Sequence, residues 1–249
     1  MRTKALLAAA VIAAFGALST MAQNVYSLNV VGYINLPLCE GYNLVANQLD
    51  LDGTGTNNTI ATVFGSNLPV GTSVSVYYNG SLGWGFYGET YSVFGRSPGP
   101  YTTNWNGGGV TPVNPGQGVW VNVPTGAFLG ATQNVTTVGQ VLQGSLTNSY
   151  LNPSVGGYSL LGNIVPISGG LVSVLNYQPN VGDAISLYVA GYPPPGFVGN
   201  TYSVSGRPPG PYTTNWNSGT EPVLSVGQGF WLQATLQTPN TWSTNFTVQ

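Results

Sequence analysis

Few residues of this chain could do acid–base chemistry: six carboxylates (Glu40, Asp50, Asp52, Glu89, Asp183 and Glu221), four basic residues, one cysteine and no histidine in 249 residues. Without an imidazole, neither a Ser-His-Asp nor a Cys-His arrangement can be assembled, and a zinc site would be all-oxygen or would lean on the thiol of Cys39. Two carboxylates across a cleft could still hydrolyse a glycoside. The chain is a tandem repeat, however, and no acid recurs in the second copy: Asp50 aligns with Pro166, Glu89 with Asn200, Asp183 with Thr72 and Glu221 with Val110. The expectation is a protein that is not an enzyme, with a carboxylate-based glycosidase as the most distant reading.

A second constellation is Asp50-Leu-Asp52-Gly53-Thr-Gly55, with Asn57 or Asn58 nearby. Alternating carboxylates and a glycine suit a calcium loop, and Asp50, Asp52 and Asn57 are the candidate ligands, although the distal bidentate Glu of such loops is missing. The competing reading is a polar turn, where Asp and Gly are favoured on conformational grounds alone.

The third constellation is the repeat itself. Thr90–Asn106 returns as Thr201–Asn217 with changes only at Phe94/Ser205 and Ser97/Pro208. In an extended segment Tyr101, Thr103 and Trp105 share one face and Thr102, Asn104 and Asn106 the other. Aromatic planes flanked by amides and a guanidinium suit an uncharged polyhydroxylated ligand, whose CH groups stack on rings while its hydroxyls take hydrogen bonds. The candidate binding residues are Arg96, Tyr101, Asn104 and Trp105 with Arg207, Tyr212, Asn215 and Trp216. The alternative is a self-stabilised β-corner in which the arginines cap carbonyls or lie over a ring. Exposure of Trp105 and Trp216 separates the two, since these indoles have little apolar sequence company. Trp120 and Trp231, flanked by branched apolar residues, are expected in the core.

The elements that must position these residues read as strands. Val25–Leu36, ended by Pro37, and Gly41–Leu49 with its counterpart Gly157–Val165 alternate or are β-branched. Ser73–Tyr78 and Ala184–Val189 should bury Val74, Val76 and Tyr78 in one copy and Ile185, Leu187 and Val189 in the other. Thr59–Phe64 and Gly170–Leu175 carry spacing for one or two helical turns. Tyr91–Gly95 and Tyr101–Asn106 form a hairpin, with Pro98 second and Gly99 third in its turn. Each copy closes on Gly116-Gln-Gly-Val-Trp-Val or Gly227-Gln-Gly-Phe-Trp-Leu, where paired glycines predict a close approach of two backbones. Asn134-Val-Thr and Asn245-Phe-Thr end the copies alike, which predicts boundary strands, the middle one shared by two cores. The fold class is all-β: two tandem homologous β-sandwich or small-barrel-like modules, each with one short helix, over 23–133 and 134–249. A transmembrane barrel is weakened by the repeat length of about 111 residues, longer than a hairpin period.

Residues 1–22 have a basic start, an apolar run and a small-residue end, the pattern of a signal peptide cleaved after Ala22. The remaining chain has two arginines against six acids, a net charge of −4, which offers no footprint for nucleic acid or an anionic membrane. No transmembrane segment is expected in it. A lone cysteine in an oxidising compartment favours burial of Cys39.

The Gly41-Tyr-Asn-Leu opening and the Gly-Gln-Gly-Val-Trp-Val closing resemble β-repeat segments of uncharacterised secreted bacterial proteins, over about Gly41–Trp120 and Gly157–Trp231. That resemblance implies an extracellular or cell-surface setting and carries no catalytic residues with it. The functional expectation is a secreted, non-enzymatic β-repeat protein, structural or adhesive at the envelope or in a matrix. Its partners would be neutral polysaccharide or other envelope proteins. The alternative is bivalent glycan binding, in which two weak sites on one rigid body gain by avidity.

Overall fold

The computed structural model describes residues 30–55, 57–80, 83–130, 132–148, 157–191, 195–206, 209–235 and 242–248. The signal segment 1–22 and the first residues of the expected opening strand lie outside them. The first copy contains β1 (Val30–Cys39), β2 (Gly41–Ala46), α1 (Ile60–Phe64), β3 (Ser73–Gly80), β4 (Gly83–Phe94), β5 (Thr102–Trp105), β6 (Gly118–Val123) and β7 (Thr132–Val141). The second contains β8 (Gly144–Thr147), β9 (Tyr158–Gly162), β10 (Gly169–Gly170), β11 (Ala184–Val189), β12 (Gly196–Ser205), β13 (Thr213–Trp216), β14 (Val223–Leu224), β15 (Gly229–Gln233) and β16 (Ser243–Phe246). The chain is all-β, and no described helix is long and apolar enough to cross a membrane.

Two five-stranded antiparallel sheets have the same order, β2-β6-β3-β4-β5 and β9-β15-β11-β12-β13, and among the described residues no sheet closes into a barrel. Alternation decides which face is buried. Val74, Val76, Val119 and Val121 of the first sheet pack under the ribbon β1–β7, which contributes Ile34, Leu36, Leu38, Val135 and Val141. Leu161, Ile185, Phe230 and Leu232 of the second sheet join Leu171, Leu175 and Trp242 in a separate cluster. Tyr78 and Leu187 are only half-buried and Val189 is exposed, because the ends of β3 and β11 run past the core they cover.

The opening strand passes through Pro37 and does not stop there: β1 reaches Cys39, with Pro37 opposite Asn134. A two-stranded ribbon has an outer edge on each strand, where a residue lacking an N–H costs no ladder bond. The expected boundary at 133/134 falls inside β7, whose Val135 and Val141 belong to the first cluster. After residues 142–143 the chain re-enters sheet as β8, paired with β16 of the second copy. The joint therefore serves both halves, as two successive strands.

Helix α1 forms because Thr59 caps it: its hydroxyl accepts from Thr62 N while the Thr62 hydroxyl accepts from Thr59 N at 2.7 Å, closing a capping box. The second copy has no threonine pair there, and Leu171–Leu175 is an irregular turn in place of the expected helix. Leu171 and Leu175 still occupy the core positions of Ile60 and Phe64. Cys39 is half-buried, and a Cβ on Gly191 would lie 2.7 Å from its sulfur.

Candidate functional site

The repeated hairpins explain most of their shared letters internally. Trp105 is 3% and Trp216 4% exposed, although neither has much apolar company along the chain. The company is tertiary. Trp105 packs on Tyr91 (ring centroids 5.4 Å apart), and its Nε1 donates to Gly65 O at 3.2 Å beyond the end of α1. Trp216 packs on Tyr202 at 5.3 Å. Asn104 and Asn215 each accept from the following tryptophan N–H at 2.8 Å. Asn106 Oδ1 accepts from Thr90 N at 3.0 Å, as Asn217 Oδ1 does from Thr201 N at 3.1 Å.

At the tips, Arg96, Tyr101 and Tyr212 are exposed, and Arg207 lies outside the described residues. The first tip closes with Gly99 N donating to Arg96 O at 2.6 Å, which puts Pro98 third and Gly99 fourth in the turn, behind a cis Ser97–Pro98 bond. This is the turn class built on a cis proline, one position out of step with the expected one. The structure thus keeps Arg96, Tyr101 and Tyr212 on the surface and withdraws both indoles from it.

The six carboxylates staple loops. Both oxygens of Asp50 accept hydrogen bonds, from Gly55 N at 3.0 Å and Asn58 Nδ2 at 2.7 Å; those of Asp52 accept from Thr54 N at 3.0 Å and Asn57 Nδ2 at 2.5 Å. Asn57 presents its amide N–H to Asp52. The calcium candidates Asp50, Asp52 and Asn57 thus lie in one polar loop joined by its own hydrogen bonds. Asp52 is held below its usual pKa by the Thr54 hydroxyl, then by Asn57 and Thr54 N–H.

Glu89 is buried beneath the loop after β5 and accepts from Gly109 N at 2.5 Å, Thr111 N at 3.0 Å and the Thr111 hydroxyl at 2.7 Å. Burial is the largest single influence and pushes its pKa up, but the Thr111 hydroxyl and the loop N–H groups together bring it below the usual value. Glu221 does the same for the turn of the second copy, accepting from Val172 N at 2.6 Å, Ser173 N at 3.0 Å and the Ser173 hydroxyl; desolvation again opposes, and the donors prevail. Asp183 ties Tyr177 OH, Asn180 N and Thr235 N together. Glu40 accepts from Phe128 N at 3.1 Å and is lowered by the N–H groups of Gly126 and Phe128.

An aromatic surface lies where sequence reasoning expected core. Trp120 and Trp231 are only half-buried. Strand parity is the reason: Val119 and Val121 face the core, so Trp120 between them must face the other way. On that outer side the two sheets meet back to back. Ala46 N donates to Gly227 O at 2.8 Å and Gly162 N to Gly116 O at 3.0 Å, two equivalent bonds running in opposite senses across the seam. A Cβ on Gly118 would lie 2.8 Å from Leu161 O, and one on Gly229 2.6 Å from Val45 O. The close approach expected at the paired glycines is real, and the second backbone belongs to the other copy.

Around this joint the rings repeat with two-fold correspondence. Trp120 has Tyr42 at 5.9 Å, Tyr188 at 4.8 Å and Phe197 at 6.0 Å. Trp231 has Tyr158 at 6.1 Å, Tyr77 at 4.9 Å and Phe86 at 6.1 Å. Each tryptophan thus takes one ring from its own copy and two from the other. Cross-strand rows carve the space: Trp120–Ser75–Gly88 and Trp231–Ser186–Gly199 run large, small, smallest. Two open clefts of about 450 and 350 Å³ result, the first lined by Tyr42, Ser75, Phe86, Trp120, Tyr188 and Phe197. The second is lined by Tyr158, Ser186, Trp231, Tyr77 and again Phe197. The sequence signal was present, since each ring and serine has its counterpart in the other copy at an outward position. Compared with protein-family models, with curated proteins and with solved structures, the chain finds no match.

Proposed function

We propose that this chain is an exported, non-enzymatic β-repeat protein with a structural or adhesive role at the cell envelope or in an extracellular matrix. The observation that carries the reading is the burial of Trp105 and Trp216: the most faithfully repeated letters of the chain build two hairpins, each of which buries its tryptophan against its own copy. The carboxylates agree with it, since each is a loop staple engaged by N–H or O–H donors. The bivalent glycan reading on the hairpins retains Arg96, Tyr101, Asn104, Tyr212 and Asn215 as surface groups and loses the indole planes.

The test is export and processing. Expressed with residues 1–22 in a bacterial host, the chain should be recovered outside the cytoplasm with a mass corresponding to a start at Gln23. It should show no turnover of ester, peptide or glycoside substrates. Retention in the cytoplasm at full mass, or hydrolysis abolished by Glu89→Gln or Glu221→Gln, would refute the reading.

A further inference from the structure

We propose that the twin aromatic clefts at the back-to-back seam are two equivalent binding sites for a neutral oligosaccharide. The inference adds a ligand class to the adhesive reading, and its test in vitro does not depend on export.

The lining defines the ligand by exclusion. Among the described residues both clefts are lined by Tyr, Trp, Phe and Ser side chains, without a charged group, and the chain after residue 22 is net negative, so an anionic ligand finds no counter-charge there and meets long-range repulsion. The clefts lie on sheet faces: β6, β3, β15 and β11, which carry Trp120, Ser75, Trp231 and Ser186, are paired on both sides, so the floor of each cleft has no free ladder to offer an extended peptide. An acyl chain needs enclosure to leave water, yet the rims are open, with Tyr42 58%, Tyr158 48%, Phe86 54% and Phe197 55% exposed. A sugar needs what is present: ring planes for its CH faces, and serine and tyrosine hydroxyls for its own. The volumes of about 450 and 350 Å³ fall at the lower end of small-molecule sites, which also favour domain joints.

The correspondence across the seam sets the stoichiometry. The two clefts are related by exchange of copies, so a directional glycan would run in opposite senses in each. They are two adjoining sites on one body, with Phe197 lining both.

Titration calorimetry of the full chain with cellohexaose, xylohexaose, mannohexaose and laminarihexaose, with intrinsic tryptophan fluorescence alongside, tests this. At least one should bind with two sites per chain and shift the emission of the half-buried indoles, while a galacturonic acid hexamer should not bind. Tyr42→Ala and Tyr158→Ala should each halve the stoichiometry and together abolish binding, with the melting temperature unchanged for these exposed rims. Tyr42→Phe should keep the site through its ring. Failure of all four neutral sugars would overturn the proposal, as would binding that survives the double variant. Cleft-dependent self-association, or cleft-dependent binding of a proline decapeptide in place of any sugar, would assign the surface to protein and overturn it equally.

Discussion

A single added methyl group probes the seam more sharply than any truncation. At Gly118 and Gly229 the new Cβ would meet backbone carbonyls at 2.8 and 2.6 Å, atoms held by their own sheets and unable to turn aside. Gly118→Ala and Gly229→Ala should each destabilise the protein by about 1–3 kcal/mol, the usual range for overpacking, read as a lower urea midpoint with an unchanged slope. Gly126→Ala, whose Cβ would meet nothing within 4 Å, should cost less, through its positive φ alone. The indoles give the converse test. Trp105→Ala should cost about 3–5 kcal/mol as a core truncation, whereas an exposed ligand platform would have cost almost nothing.

At the scale of elements, the two copies reach one geometry by different local means. In the first, Thr59 and Thr62 cap α1, and Glu89 holds the loop that receives it. In the second, Glu221 reaches the N–H groups of Val172 and Ser173 directly and replaces helical order by a stapled turn. Thr59→Ala should therefore lower stability by about 0.5–2 kcal/mol. Glu221→Ala should cost about 1–3 kcal/mol, because it leaves the N–H groups of Val172 and Ser173 without their acceptor. Both are measurable by chemical denaturation at pH 7. These acids are absent from the equivalent positions of the other copy because each solves a problem peculiar to its own loop.

For the whole molecule, the carboxylates set the response to acid. Glu89, Glu221, Asp52 and Glu40 all have folded pKa values below their ordinary ones. Each therefore contributes stability that is present above the unfolded values, about 3.9 for Asp and 4.3 for Glu, and lost as pH falls through the lowered folded values. With no histidine in the chain, the urea midpoint should be flat from about pH 6 to 8 and fall below about pH 5. Glu89→Gln should flatten part of that fall. The seam, joined by backbone bonds in both directions, should make the two cores unfold in one transition, and Gly118→Leu should split it in two. Period-two alternation, duplicated motifs and paired glycines were enough to reveal an all-β tandem architecture and a tight backbone contact, because these follow from strand geometry and chain stereochemistry alone; where one shared boundary strand was expected there are two, β7 in the first core and β8 paired with β16. Which side of a sheet acquires a partner is a long-range matter. Trp105 and Trp120 have apolar or polar neighbours along the chain that say nothing about Gly65 folding over the one, or about Tyr188 arriving from the other copy to leave the other half in water. Only tertiary packing decided that the indoles of the repeated hairpins are core, Trp105 against Tyr91 and Gly65 of its own copy, and that Trp120, turned outward by parity, meets rings of the other copy in a half-open cleft.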